Sequence, residues 1–313
     1  MGLATKHLTK NITMKTHTKL AVAFLAAASS IAAQAADAPA PAVVFDGYAV
    51  LTAVSKTGAV NTADLSAAKV GATAKVGSAT TYVSLYYDGT TTNILDAYAA
   101  VDVGGGVTIT VGKFLSYMGY EAFDVPNMAQ ISYAQALATI PAYHTGVKLD
   151  YNAAAYSTGV AVVDSLNGPT LYKGDFDTSK LGLEAYYSYK GIKDTTIWFG
   201  AADEVATKTA FYDLWVSYAL NKTDTLGAEV VKVESGSLYW LAAYTKGLTD
   251  KWSVTGRVSM EDPASGASNT KYTLSPSYKL NDHFVARAEV SYIPSYGSTK
   301  SSTYVAAQTI YKF

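Results

Sequence analysis

The sequence predicts an all-β chain: a transmembrane antiparallel β-barrel of about sixteen strands, with fourteen as the fallback, and a long third loop folded into the lumen. Three observations predict it. From Val43 onward, segments of about ten residues alternate apolar and polar side chains, the period-two pattern of a strand with two unlike faces. The apolar face repeatedly begins and ends in an aromatic ring, as a barrel wall does where it meets the two membrane interfaces. Composition agrees, with 25 Tyr and 24 Gly against 8 Pro, no Cys and only 16% charged residues. Soluble domains carry roughly 25% charged residues, and a chain this apolar is neither disordered nor a disulfide scaffold.

The first 35 residues stand apart from the barrel pattern. Lys15, His17 and Lys19 precede the apolar run Leu20–Ala28, and small residues end at Ala33-Gln34-Ala35. This is the charged, apolar and A-x-A order of a cleaved signal peptide, with Met14 as a possible true start. A spanning anchor is the alternative, but the run is short of the ~20 apolar residues a spanning helix needs. Residues 36–42 then read as a short mature leader, and 43–313 as the barrel. Cleavage after Ala35 removes four lysines and no acid, leaving 278 residues with 20 basic and 25 acidic side chains, a net of −5. Such a balance disfavours nucleic acid as a partner and tilts ion preference weakly toward cations.

The strands are clearest near the C-terminus. In 252–261 the even positions are Trp252, Val254, Gly256, Val258 and Met260, and the odd ones are Ser253, Thr255, Arg257, Ser259 and Glu261. The segments 272–280 and 284–292 alternate in the same way. A soluble β-sandwich also alternates, but it packs large aliphatics on one face and sets charges on the other. Here the apolar face mixes Ala, Val, Leu and Gly between terminal rings, as expected with lipid outside and water inside. The expected strands begin near 44, 67, 80, 94, 107, 143, 155, 180, 194, 210, 224, 236, 251, 270, 283 and 302. The segments at 194 and 224 are the weakest, because Trp198 competes with Ile197 and Phe199 for one face. Short turns such as 77–79, 104–106, 153–154, 191–193, 221–223, 248–249 and 281–282 alternate with mostly longer connections. That spacing matches periplasmic turns and outer loops, and an even strand count returns the C-terminus to the periplasm.

The gap from Ser116 to Pro141 interrupts the alternation. It follows the fifth strand and is therefore the third outer loop. Pattern-free loops of this length are usually functional, so the inward fold, as a constriction or plug, is expected over a plain surface loop.

The segments Val111-Gly112-Lys113-Phe114, Gly119-Tyr120-Glu121 with Asn127, and Pro141–Tyr151 resemble the beta-barrel porin family of Gram-negative outer membranes. The resemblance implies an outer-membrane channel for passive diffusion of small hydrophilic solutes and ions. It supplies no catalytic residues, and the short outer loops count against an elaborate ligand vestibule. Ending on Phe313 inside an alternating strand resembles the signal read by the barrel-assembly machinery.

Parity along the strands gives the candidate lumen residues. The pore-lining and constriction set is Glu121, Asp124, Lys148, Asp150, Arg257, Lys279, Arg287 and Glu289. Lys69, Lys75, Lys271, Asp96, Asp102, Glu184, Asp213 and Glu229 share the inward parity. Arg257 and Arg287 flank the strand 272–280 and are expected to form one basic patch opposite the acidic loop, setting a field across the pore. The alternative is local pairing with Glu261 and Glu289. Small outward faces at Ala68, Val70, Ala72 and Ala74, and at Ala97, Ala99 and Val101, suit close approach of a second barrel, with a trimer as the expected assembly. The surrounding partner is outer-membrane lipid. No cofactor, metal or catalytic residue is expected: His144 and His283 are the only histidines after Ala35, and neither G-x-S-x-G nor a P-loop is present. A non-conducting structural or adhesin-type barrel is the main alternative, with a barrel-embedded hydrolase behind it.

Overall fold

The computed structural model describes residues 42–59, 61–134, 141–166, 181–205 and 209–313. The expected signal segment 1–35 and all of the expected leader except Ala42 lie outside these residues. Sixteen strands follow one another: β1 Val43–Lys56, β2 Thr62–Val76, β3 Ala79–Tyr87, β4 Thr92–Gly104, β5 Val107–Leu115, β6 Tyr143–Asn152, β7 Tyr156–Val163, β8 Gly182–Tyr189, β9 Thr195–Glu204, β10 Thr209–Ala219, β11 Thr225–Val233, β12 Leu238–Gly247, β13 Trp252–Asp262, β14 Asn269–Lys279, β15 Phe284–Ile293 and β16 Ser302–Lys312. Each pairs antiparallel with its neighbours in sequence, and β1 pairs with β16 to close the barrel. Closure leaves no sheet edge with unpaired backbone groups, the condition for crossing lipid with strands.

The wall is inside-out relative to a soluble sheet. Glu184, Asp213, Glu229, Arg257, Arg287 and Glu289 are buried, while Phe199, Leu214, Val230, Leu274 and Val290 are exposed on the same or neighbouring strands. Charged side chains therefore face the interior and apolar ones face out, which a sandwich in water does not tolerate. The aromatic ends form the expected belt at the short-turn end, where Tyr151, Tyr156 and Tyr187 make a chain of ring contacts and Trp252 meets Tyr278. Phe313 completes the seam, exchanging backbone hydrogen bonds with Gly47 at 3.0 and 3.2 Å.

Strand starts fall within two residues of the sequence expectation except at β2, which begins at Thr62 and not near 67. The cause is a bulge. Val50 pairs with Ala67 and Leu51 with Leu65, leaving Ser66 as an extra residue that hydrogen-bonds Thr52 at 2.6 Å. An extra residue shifts the alternation by one and hides the strand N-terminal to it. The weak segment at β9 is decided by its partner. Trp198 turns inward against Trp215 of β10, its ring 5.7 Å away and nearly parallel, and Phe199 faces out.

One side of the interior is apolar. Phe114, Ala161, Val163, Trp198, Ala202, Phe211, Val231, Val233 and Tyr239 form a buried cluster across β5 and β7–β12, joined by Met118 and Leu166. The same strands also carry the buried acids Glu184, Glu204, Asp213 and Glu229, while Lys69, Arg257, Lys271 and Arg287 are buried on β2 and β13–β15.

Candidate functional site: the connection between β5 and β6

The described part of the third loop, Ser116 to Ala134, meets the buried faces of strands around the ring, from β1–β3 and β6–β8 to β10, β11 and β13–β15. Its outgoing limb is caught by carboxylates. Glu184 on β8 accepts from Ser116 Oγ (2.6 Å) and Tyr117 N (3.2 Å), Asp213 on β10 accepts from Gly119 N (2.8 Å), and Glu229 on β11 accepts from Tyr120 N (2.6 Å). Hydrogen bonds from neutral N–H groups to a carboxylate are the strong, charge-assisted kind. Rings reinforce this limb: Tyr117 lies 4.5 Å from Tyr186, and Tyr120 lies 5.6 Å from Trp215. The facing strands make room with glycine. A Cβ at Gly159 would come within 2.7 Å of the Tyr117 hydroxyl, and one at Gly227 would overlap Tyr120.

At the apex the contacts change walls within three residues. Glu121 forms an ion pair with Arg257 on β13, and Phe123 packs on Tyr86 of β3 and Tyr143 of β6, with centroids at 6.2 and 5.0 Å. In a closed ring of sixteen, the strand opposite β13 is β5, with β6 beside it and β3 two strands away on the other side. Asp124 then accepts from Lys69 Nζ on β2 and Tyr48 Oη on β1, both at 3.2 Å.

The returning limb is held by β14 and β15. Arg287 donates to Val125 O (3.0 Å) and Pro126 O (3.1 Å). Glu289 accepts from Ile131 N (2.7 Å), Ser132 N (2.9 Å) and Ser132 Oγ, and Lys271 donates to Ser132 Oγ (2.7 Å) and Tyr133 O (2.9 Å). Glu121 also accepts from Ala134 N at 2.7 Å, tying the limbs together. Burial and the nearby Asp150 carboxylate push the Tyr117 phenol well above its ordinary range, so it stays protonated and donates to Asp150 at 2.9 Å.

The structure gathers seven of the eight candidate residues at or beside this connection. Lys148 places its ammonium 4.8 Å from the Phe114 ring and 5.1 Å from that of Tyr117. Lys279 is the correction. It shares the inward parity of Lys271, but eight residues of strand set it about 26 Å further along β14, where its half-exposed ammonium pairs with Asp282 at 2.6 Å in the turn. The single basic patch is corrected too. Arg257 lies opposite Thr273 and Arg287 opposite Ser277, four residues apart on β14. Arg257 binds Glu121, Arg287 binds neutral carbonyls, and neither pairs with Glu261 or Glu289.

Tyr48, Ser116 and Ser132 belong to the site and were not singled out from sequence. Parity placed Glu184, Asp213 and Glu229 inward without a role. The signal available was their isolation: these inward acids on β8, β10 and β11 have no cation on those strands' inward faces and require donors from elsewhere, and a loop's backbone amides supply them.

Residues 45–313 match the family model described as "Putative beta-barrel porin-2, OmpL-like". The chain belongs to this family. The porin is also similar in fold to an anion-selective porin from Comamonas acidovorans, at 12% identity and a TM-score of 0.68 over 87% of this chain and 100% of that one. The trimer form of OmpT, an outer membrane protein of Vibrio cholerae, aligns at 14% identity and a TM-score of 0.65 over 88% of this chain and 100% of the other. The outer membrane channel DcaP of Acinetobacter baumannii aligns at 10% identity and a TM-score of 0.65, covering 88% of the porin and 98% of DcaP. A search of curated proteins gives no match. Family and fold place the porin in a Gram-negative outer membrane, in a channel role.

Proposed function

We propose that the protein passes small hydrophilic solutes and ions by diffusion through the barrel, along a passage set by residues 116–134 lying across the lumen. One observation carries this reading: Glu121 and Phe123, two residues apart, reach Arg257 on one wall and Tyr86 and Tyr143 on the opposite one. A segment bonded to inward-facing side chains on both walls bridges the interior, and it supplies the side chains a solute must pass. Secretion through the 1–35 signal and insertion directed by Phe313 fit this reading.

Assembly as a trimer is supported by a break in the aromatic belt. At the short-turn end of β2–β5 the outward rows are Ala74, Thr81, Ala99 and Val111, and Val76, Ala79, Val101 and Ile109, with no ring where other strands carry Tyr, Trp or Phe. A sector lacking interfacial rings and built of small side chains suits protein contact better than lipid. A mass measurement in detergent that gives only a monomer would refute it.

The channel reading is tested in planar bilayers with the full-length mature protein and a variant lacking residues 118–133. Both are expected to give stepwise conductance, with larger steps from the shortened form. A heat-modifiable, folded barrel that leaves the bilayer sealed in both forms would favour the structural or adhesin alternative.

A further inference from the structure

Arg287 is an unusual partner for a loop. It is 7% exposed, and among the described residues no carboxylate lies within ion-pair distance of it. Its guanidinium fork donates one bond each to Val125 O (3.0 Å) and Pro126 O (3.1 Å), and its Nε is buried without a partner. Glu289, two residues away on the same strand face, is spent on Ile131, Ser132 and Ser291. The neighbouring cations are differently placed: Arg257 is neutralised by Glu121, and Lys271 reaches Glu289 through the Ser132 hydroxyl.

Two adjacent oxygens on the two arms of a guanidinium are the arrangement of a bidentate carboxylate. Here they come from the short helical turn Val125–Asn127 and carry no net charge. We infer that Arg287 is a carboxylate-binding station on the solute path, occupied in this state by the Val125 and Pro126 carbonyls as neutral stand-ins, and that small organic acids are a solute class of the channel. A carboxylate entering from either side replaces two neutral acceptors by two charged ones. It neutralises the one buried cation of this wall that lacks a counter-charge, while the displaced carbonyls, at the loop's surface, return to water. The net of −5 on the mature chain by itself favours cations, so the preference for organic anions originates in this one position.

The inference rests on the channel reading, and its test separates the two. Reversal potentials are measured in bilayers under gradients of potassium chloride and potassium succinate, for the parent, Arg287→Gln, Arg287→Lys and the variant lacking residues 118–133. The station predicts that Arg287→Gln lowers succinate permeability relative to potassium about tenfold, the factor a charge-assisted hydrogen bond is worth. The loss for chloride is smaller, because chloride cannot use the fork. Arg287→Lys, which keeps the charge without the fork, shows a smaller loss in the same order. A succinate ratio within twofold of the parent in the Gln variant, or equal losses for succinate and chloride, overturns the station and leaves the channel reading standing. Silence of every form, the shortened loop included, overturns both.

Discussion

Glu289 is the most heavily used acceptor among the wall carboxylates that hold the third loop, and its replacement gives the sharpest forecast. One oxygen takes Ile131 N and Ser132 N at 2.7 and 2.9 Å, the other takes the hydroxyls of Ser132 and, at 2.8 Å, Ser291, and the side chain is 0% exposed. Glu289→Gln can keep every bond: its carbonyl serves the two amides, and the hydroxyls rotate to accept from its NH2. It loses only charge assistance, about 1 kcal/mol per amide bond. Glu289→Ala strips both amides of their acceptor, and an unsatisfied buried donor costs about 1–3 kcal/mol, so the loop attachment weakens by about 3–4 kcal/mol. At 1.4 kcal/mol per tenfold, opening of residues 130–133 becomes at least about a hundredfold more frequent in the Ala variant than in the parent. Hydrogen exchange at Ile131 and Ser132 in detergent micelles measures this directly, and single-channel recordings should show more frequent flickering. Equal protection of these amides in the Ala and Gln variants would refute the reasoning, because the carboxylate would then not be what holds the limb.

Three further outcomes are expected. Leu214, 47% exposed mid-strand on β10, faces lipid, so Leu214→Arg costs about 2–4 kcal/mol in a bilayer; a change below about 0.5 kcal/mol in urea titrations in vesicles would mean that this face sees water. Removing Phe313 deletes both backbone bonds to Gly47 and the ring contact with Tyr311 at 6.1 Å, so the heat-modifiable fraction on gels should fall, and an undiminished fraction would show that the β1–β16 seam closes without it. In the β10–β11 turn, slight desolvation raises the Asp224 carboxyl, but hydrogen bonds from Asn221, Gly247, Tyr244 and Thr223 outweigh it and hold the group below its ordinary value of 3.8. A folded value below the unfolded one contributes stability above about pH 4 that is lost as pH falls through the depressed value, so the melting difference between the parent and Asp224→Asn should vanish toward pH 2 and persist at pH 7.

The barrel was legible in the sequence because its determinant is local. A strand between lipid and water must alternate, and the period of two shows in any ten residues, as in Trp252 to Glu261. The strand count, the short turns and the inward parity of Glu184, Asp213, Arg257, Arg287 and Glu289 all follow from that rule. Where the rule fails, the cause is also physical: the extra Ser66 puts Thr62–Leu65 out of phase, and Trp198 needs Trp215, seventeen residues away, to fix its side of the wall. Parity assigns a face, not a height or a partner. It could not show that Lys279 sits at the rim beside Asp282, nor that Arg257 and Arg287 serve different parts of one loop. The site itself was decided only by tertiary structure. Most of its bonds join residues more than sixty positions apart, and many run from wall side chains to loop backbone. Backbone amides and carbonyls are the same at every residue, so no sequence pattern records which carboxylate or guanidinium will claim them.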